Sequence, residues 1–103
     1  MRIVRSVNDV PIRLTEERWK HISRRHPETK TQRERVLETV SEPDLVQRGD
    51  AGELLAVRHY PETPLTEKYL VVPYRELSGT DGFILTAYLT NRPSSGRETV
   101  WKR

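Results

Sequence analysis

Residues 68–90 read "KYLVVPYRELSGTDGFILTAYLT". Two segments rich in β-branched and aromatic residues, 68–77 and 83–90, flank the turn-forming cluster "SGTDG" at 78–82. That pattern predicts an antiparallel pair of strands. In the second segment Phe83, Leu85, Ala87 and Leu89 fall on one face and Ile84, Thr86, Tyr88 and Thr90 on the other, because side chains alternate along a strand. The apolar set is expected to face the core and the hydroxyl-rich set to face away. Pro73 has no N–H to give to a ladder, so an edge or a bulge is expected near that end of the first segment.

The same period of two continues upstream. "LVQR" (45–48) and "ELLAVRHY" (53–60) enclose a Gly49–Gly52 turn and read as a hairpin, and "PETPLTE" (61–67) is a loop. Before residue 45 the period becomes helical. Thr15 is placed to cap a helix over 15–26, with Glu16 and Glu17 opposing the positive end of its dipole and Leu14 and Trp19 spaced as a hydrophobic staple. Pro27 disfavours helical geometry at His26 and ends it. "TQRE" (31–34) fits a capping box for a second helix carrying Val36, Leu37 and Val40, which stops at "SEPD" (41–44). Residues 2–14 alternate weakly and form a short strand or a pinned arm. "NRPSSGRE" (91–98) is a loop before a closing segment with Val100 and Trp101. The expected fold is therefore α+β over a single domain, 1–103. Two N-terminal helices pack on one face of a four-stranded antiparallel sheet and leave the other face open.

Composition narrows the chemistry. With 34% apolar residues the core must be thin, and with no cysteine there is neither disulfide nor thiolate metal site. No apolar run approaches membrane-spanning length and the N-terminus lacks an apolar signal region, so a cytoplasmic protein without membrane contact is expected. Net charge is +3, and fourteen of the eighteen basic residues are arginine, whose planar fork suits phosphate. That permits a nucleic-acid partner, and an arginine-favouring genome explains it equally well.

Residues 19–28, "WKHISRRHPE", hold the densest candidate chemistry. At 100° per residue Trp19, Ile22 and His26 share one helix face within about 60°, whereas His21 lies on the polar side with Arg24 and Arg25. A histidine at a helix C-terminus either caps free carbonyls or, as imidazolium, serves as an acid or a phosphate ligand. His21 and His26 are about 140° apart, unlike the paired histidines of a helical zinc site, and His59 completes no set, so no metal is expected. Phosphate-loop, dinucleotide and nucleophile-elbow motifs are absent from the sequence.

"IRLTEERWKHISRRHPE", "VLETVSEPDLV", "KYLVVPYRELSGTDGFILTAYLT" and a late "VW" together resemble the phage and toxin-associated BECR nuclease superfamily. That superfamily gathers barnase, EndoU, colicins E5 and D, and RelE, and its second phage-type group is the nearest in pattern. The resemblance covers roughly residues 12–101. It implies the same two-helix, four-strand fold and metal-independent, cofactor-free cleavage of RNA (tRNA or mRNA) by attack of a ribose 2'-OH on the adjacent phosphate. It places His21 and His26 in acid–base roles, Lys68 as a transition-state cation, and Thr86 and Tyr88 as groups positioning phosphate or base. Arg25, Arg58, Arg75 and Arg92 become phosphate contacts, and Glu28 orients a histidine or acts as base. Pro73 and Arg75 depart from the regular basic strand end of relatives. A cognate antitoxin or immunity protein is an expected partner. The alternative is a non-catalytic RNA- or protein-binding module of the same fold.

Overall fold

The computed structural model describes all 103 residues. Strands β1 (Arg2–Arg5) and β2 (Pro11–Leu14) form a hairpin, followed by α1 (Glu16–Arg25), a 3-10 turn (Pro27–Thr29) and α2 (Arg33–Ser41). Six strands complete the chain: β3 (Leu45–Arg48), β4 (Leu54–Tyr60), β5 (Lys68–Ser78), β6 (Asp81–Ile84), β7 (Tyr88–Thr90) and β8 (Thr99–Lys102). The α+β class stands, but the sheet is eight-stranded and mixed rather than four-stranded and antiparallel. Its order is β1-β2-β6-β5-β4-β3-β8, with β7 paired to β5. Only the β2–β6 contact is parallel. No helix is long and apolar enough to cross a membrane.

The expected meander survives inside this larger sheet, as β3, β4, β5 and the β6–β7 return strand. What enlarges it are the segments too short to carry a strong pattern of their own. Residues 2–14 are a hairpin turning at Asp9, which adopts the left-handed region at φ 61°. Residues 99–102 pair with β3.

The return strand is broken where Pro73 faces it. Leu85 N donates to Pro73 O at 2.9 Å and Thr86 N shares the same acceptor. In an antiparallel ladder one residue's N–H and C=O point to the same neighbour, so the donor that proline lacks is missing on this side, and the β4 side keeps its pairing. Two residues thus oppose one, as in a bulge. The alternation slips by one as a result. Ile84 and Ala87, three apart, are both buried in the main core, while Phe83 lies on the opposite face beneath the Arg13 guanidinium. Phe83 and Leu85 are therefore not the core residues that strict alternation assigns, and Ile84 is. Tyr88 and Thr90 do point away from the helices.

Helix α1 begins as expected: the Thr15 hydroxyl accepts from Arg18 N at 3.1 Å. Leu14, Trp19 and Ile22 join Val36, Leu37 and Val40 of α2 over Ile12, Ala56, Leu70, Val72, Tyr74 and Ile84 in one cluster. Each such aliphatic side chain contributes roughly 1.5–3 kcal/mol by leaving water. The capping box of α2 does not form. Gln32 takes the cap position without a side-chain bond, and Glu34 turns to Arg2, accepting from Nη1 at 2.6 Å and Nη2 at 3.1 Å. A bidentate arginine has displaced a local capping bond and ties β1 to the helix layer.

The second face is not open. Because β7 lies beside β5 and β8 beside β3, residues 91–98 must cross over β4 to join them. Gln47, buried, donates from Nε2 to Ser94 O at 2.8 Å, and Arg48 N bonds Glu98 O at 2.9 Å. Leu55, Val57 and Val71 are buried on this side, with Leu45, Tyr69 and Tyr88 packed around them.

Candidate functional site

The expected site residues do not gather in one place. His26 caps α1, its N–H bonded to Ile22 O at 2.8 Å, and the following proline turns the chain along the edge of β7. The His26 ring stands 6.0 Å from that of Tyr88, and its Nδ1 lies 3.7 Å from a Glu28 carboxylate oxygen, within ion-pair range of a protonated imidazole. Both side chains are only partly exposed, at 33% and 20%. Thr29, fully buried, fixes the turn by donating from Oγ1 to His26 O at 2.7 Å. This corner thus brings a histidine and a carboxylate, on a short, well-anchored stretch of backbone, beside a phenol from β7.

Lys68 and Arg92 flank the same pair of strands. Lys68 opens β5 and donates to the Asn91 side chain just beyond β7. Arg92 is exposed in the next position, and its carbonyl accepts from Thr90 Oγ1 at 3.2 Å. Arg25, exposed, is the last residue of α1 and adjoins His26 directly. Thr86 sits in the bulge two residues before Tyr88, with its N–H turned to Pro73.

Three expected residues lie elsewhere. His21 is on the outer face of α1, in a shallow cleft with Thr15, Glu17 and Arg18. Arg58 is on the helix side of the sheet, donating to Glu42 O at 2.6 Å and standing 3.7 Å from Glu38 and 5.6 Å from the centre of the Tyr60 ring. Arg75 is opposite Phe83, four residues along β5 from Val71, the partner of Tyr88. At about 3.3 Å per residue that is about 13 Å away.

One feature was missed in the sequence. His59 and Tyr69 are cross-strand partners with ring centres 5.0 Å apart, and Glu67 lies 3.7 Å from the His59 ring. Register puts Tyr69 beside Thr90 and Tyr88 beside Val71, so both tyrosines stand on the face away from the helices. The alternation Tyr69, Val71, Pro73 in β5 already carried that signal.

Some of the basic residues are paired and others are not. Arg2, Arg13, Arg33, Arg48, Arg58 and Arg97 each pair with a carboxylate. Arg18, Lys20, Arg24, Arg25 and Lys30, in α1 or the turn after it, form no ion pair, and neither do Arg35, Lys68, Arg75, Arg92 and Lys102 elsewhere in the chain.

Comparison with known proteins finds no matching family model, no similar curated protein and no similar solved structure.

Proposed function

We propose that this chain is a metal-independent endoribonuclease domain of the BECR type, acting at the corner formed by His26, Glu28 and Tyr88. The observation that carries the reading is that juxtaposition, beside a helix whose unpaired cations lead up to it. Glu28 takes the proton from a ribose 2'-OH as that oxygen attacks the adjacent phosphorus. The P–O5' bond breaks and His26, as imidazolium, protonates the departing 5'-oxygen. A 2',3'-cyclic phosphate and a 5'-hydroxyl remain, so atoms balance without any further reactant. Tyr88 and Arg25 supply donors to the charged phosphoryl oxygens, and Lys68 and Arg92 hold the neighbouring backbone. His21 acts as a contact along the RNA path rather than as the second proton carrier. A cytoplasmic setting and an antitoxin or immunity protein covering this corner belong to the same proposal.

A second reading, an RNA-binding module without catalysis, is favoured by the separation of His21 from His26. Incubating the protein with mixed tRNA and mRNA in EDTA, beside His26→Ala and Glu28→Gln, decides between them. Fragments ending in cyclic phosphate, lost in either variant while RNA still binds, support cleavage. Intact RNA at enzyme excess, with binding retained, assigns the module.

A further inference from the structure

A second concave site lies at the opposite end of the sheet, on the helix side but beyond the reach of the helices. It is a cleft of about 340 Å³ between the β1–β2 turn and β8, with Val7, Val46, Leu54, Val100 and Trp101 as apolar wall and Glu76 of β5 as its acid. That volume is at the small end of the range for ligand pockets.

Glu76 is held in place with some care. Ser6 Oγ donates to its Oε2 at 2.5 Å, and Asn8 Nδ2 donates to Oε1 at 3.0 Å and Oε2 at 3.3 Å. Ser6 in turn accepts from Asn8 N and Val10 N, each at 3.3 Å, and is itself buried. The left-handed residue Asp9 closes this turn, with its N–H on Ser6 O at 2.9 Å. All the donors are neutral. Arg48, the one cation on the cleft wall, is engaged with Glu98 at 3.0 Å. The negative charge of Glu76 is thus oriented and unneutralised in a chain of net charge +3. Its reach is visible in the neighbouring Tyr74 phenol, fully buried and without a hydrogen-bond partner, whose pKa is raised by burial and further by the Glu76 charge.

We infer that this cleft binds an alkylguanidinium or alkylammonium group, with Glu76 as counter-ion, the Trp101 indole beside the cation and the alkyl stem on Leu54 and Val46. Three needs of such a ligand are met together. The carboxylate gives charge-assisted hydrogen bonds, the indole gives cation–π attraction, and the valine and leucine surfaces cover the stem. The group arrives either on a free small molecule or as an arginine or lysine side chain of another protein. Neither source involves the His26 corner, so the inference stands independently of the ribonuclease proposal.

The test is a titration of the 15N-labelled protein with n-butylguanidinium, with n-butanol as the neutral control, read on the Trp101 indole, Gly52 amide and Asn8 side-chain signals. Saturable shifts with the cation and not with the alcohol are expected. Glu76→Gln, which keeps shape and acceptor, weakens binding by about tenfold or more, the effect of losing one charged hydrogen bond. Trp101→Leu is the second arm, for which a weakening of severalfold is expected with Glu76 intact. A blocked tripeptide with central arginine that binds tighter than n-butylguanidinium identifies a protein side chain as the source, and equal binding identifies a free cation. Equal shifts with n-butanol, no saturation, or undiminished binding in folded Glu76→Gln protein would overturn the inference.

Discussion

Strands β6 and β7 come from one segment, "DGFILTAYLT" (81–90), yet they are built for different ends. β6 is closed on both sides, parallel to β2 and antiparallel to β5. Its neighbours come so near Gly82 that a Cβ there would lie 2.4 Å from Arg75 O and 2.6 Å from Ile12 Cδ1. β7 pairs with β5 alone, and its far edge is faced by His26 and the turn after α1. Where the ladder is closed, the residues are chosen for fit. Where it is left open, partly exposed Tyr88 stands next to the His26 ring. The bulge at Leu85–Ala87 lets one strand do both, because it changes partner and phase at the same point.

The largest expected effect lies at the open half. His26→Ala is expected to lower RNA cleavage by about 100- to 10,000-fold, the range for a lost proton-transfer group. RNA affinity should change by less than about threefold, since the proposed phosphate contacts at Arg25, Lys68 and Arg92 are left in place. Single-turnover cleavage and filter binding at one salt concentration measure the two. Equal losses in both would make His26 a binding residue and remove the functional contrast between the strands.

At the closed half the expected effect is on stability. Gly82→Ala has to displace either the β5 backbone or Ile12, an overpacking that costs about 1–3 kcal/mol. In a domain of this size each kcal/mol lowers the melting temperature by about 4–8 °C. Gly96→Ala in the crossing loop meets only the Ser94 hydroxyl, at 3.9 Å, and should leave stability within about 0.5 kcal/mol. A thermal melt of the two variants tests the contrast, and equal melts would mean that β6 has room to shift.

Much of this was legible from local pattern. The Thr15 cap, the stop at His26, the end of α2 and the β3–β4 hairpin all depend on residues within a few positions of one another, and each appears where its spacing places it. The failures depend on distant partners. Glu34 left its capping box for Arg2, thirty-two residues away. The phase of "FILTAYLT" depends on Pro73, a partner rather than a neighbour. The crossing of 91–98 follows only once β8 is known to lie beside β3. At the site, Arg58 was open to correct placement, since it alternates in step with Ala56 and Tyr60 and so faces the helices. No local rule could have joined His26 to Tyr88, sixty-two positions apart, although each was chosen on its own chemistry.

The helix layer extends the contrast to pH. Tyr60 donates to Glu38 at 2.6 Å, and its phenol is pushed up from 10.0 to about 12, by burial first and then by that hydrogen bond. A raised tyrosine pKa means that the folded state holds its proton more tightly. The resulting stability is fully present below about pH 10 and is lost as pH rises through 12. Denaturant titrations between pH 9 and about 12 should show this fall. Tyr60→Phe should flatten it without removing it, because buried Tyr74 is raised in the same direction. An unchanged slope in Tyr60→Phe would place the alkaline sensitivity elsewhere.

The smallest expected effects separate the two kinds of arginine. Arg58 is 22% exposed and bound to the end of α2. Arg58→Ala removes the shorter of two hydrogen bonds to the Glu42 carbonyl, the other coming from Arg103 at 3.3 Å, while Arg35 stays over the Tyr60 ring. The loss costs about 0.5–1.5 kcal/mol of stability. It should leave RNA affinity and its salt dependence unchanged. Arg25→Ala removes an exposed side chain with no ion pair, so stability should stay within about 0.5 kcal/mol. If Arg25 meets a phosphate, the slope of log affinity against log salt drops by roughly 0.7–0.9, the counterion released per single-stranded or duplex contact. A shallower slope in Arg58→Ala with none in Arg25→Ala would reverse the map, moving the nucleic acid from the β7 edge to the α2 side of the molecule.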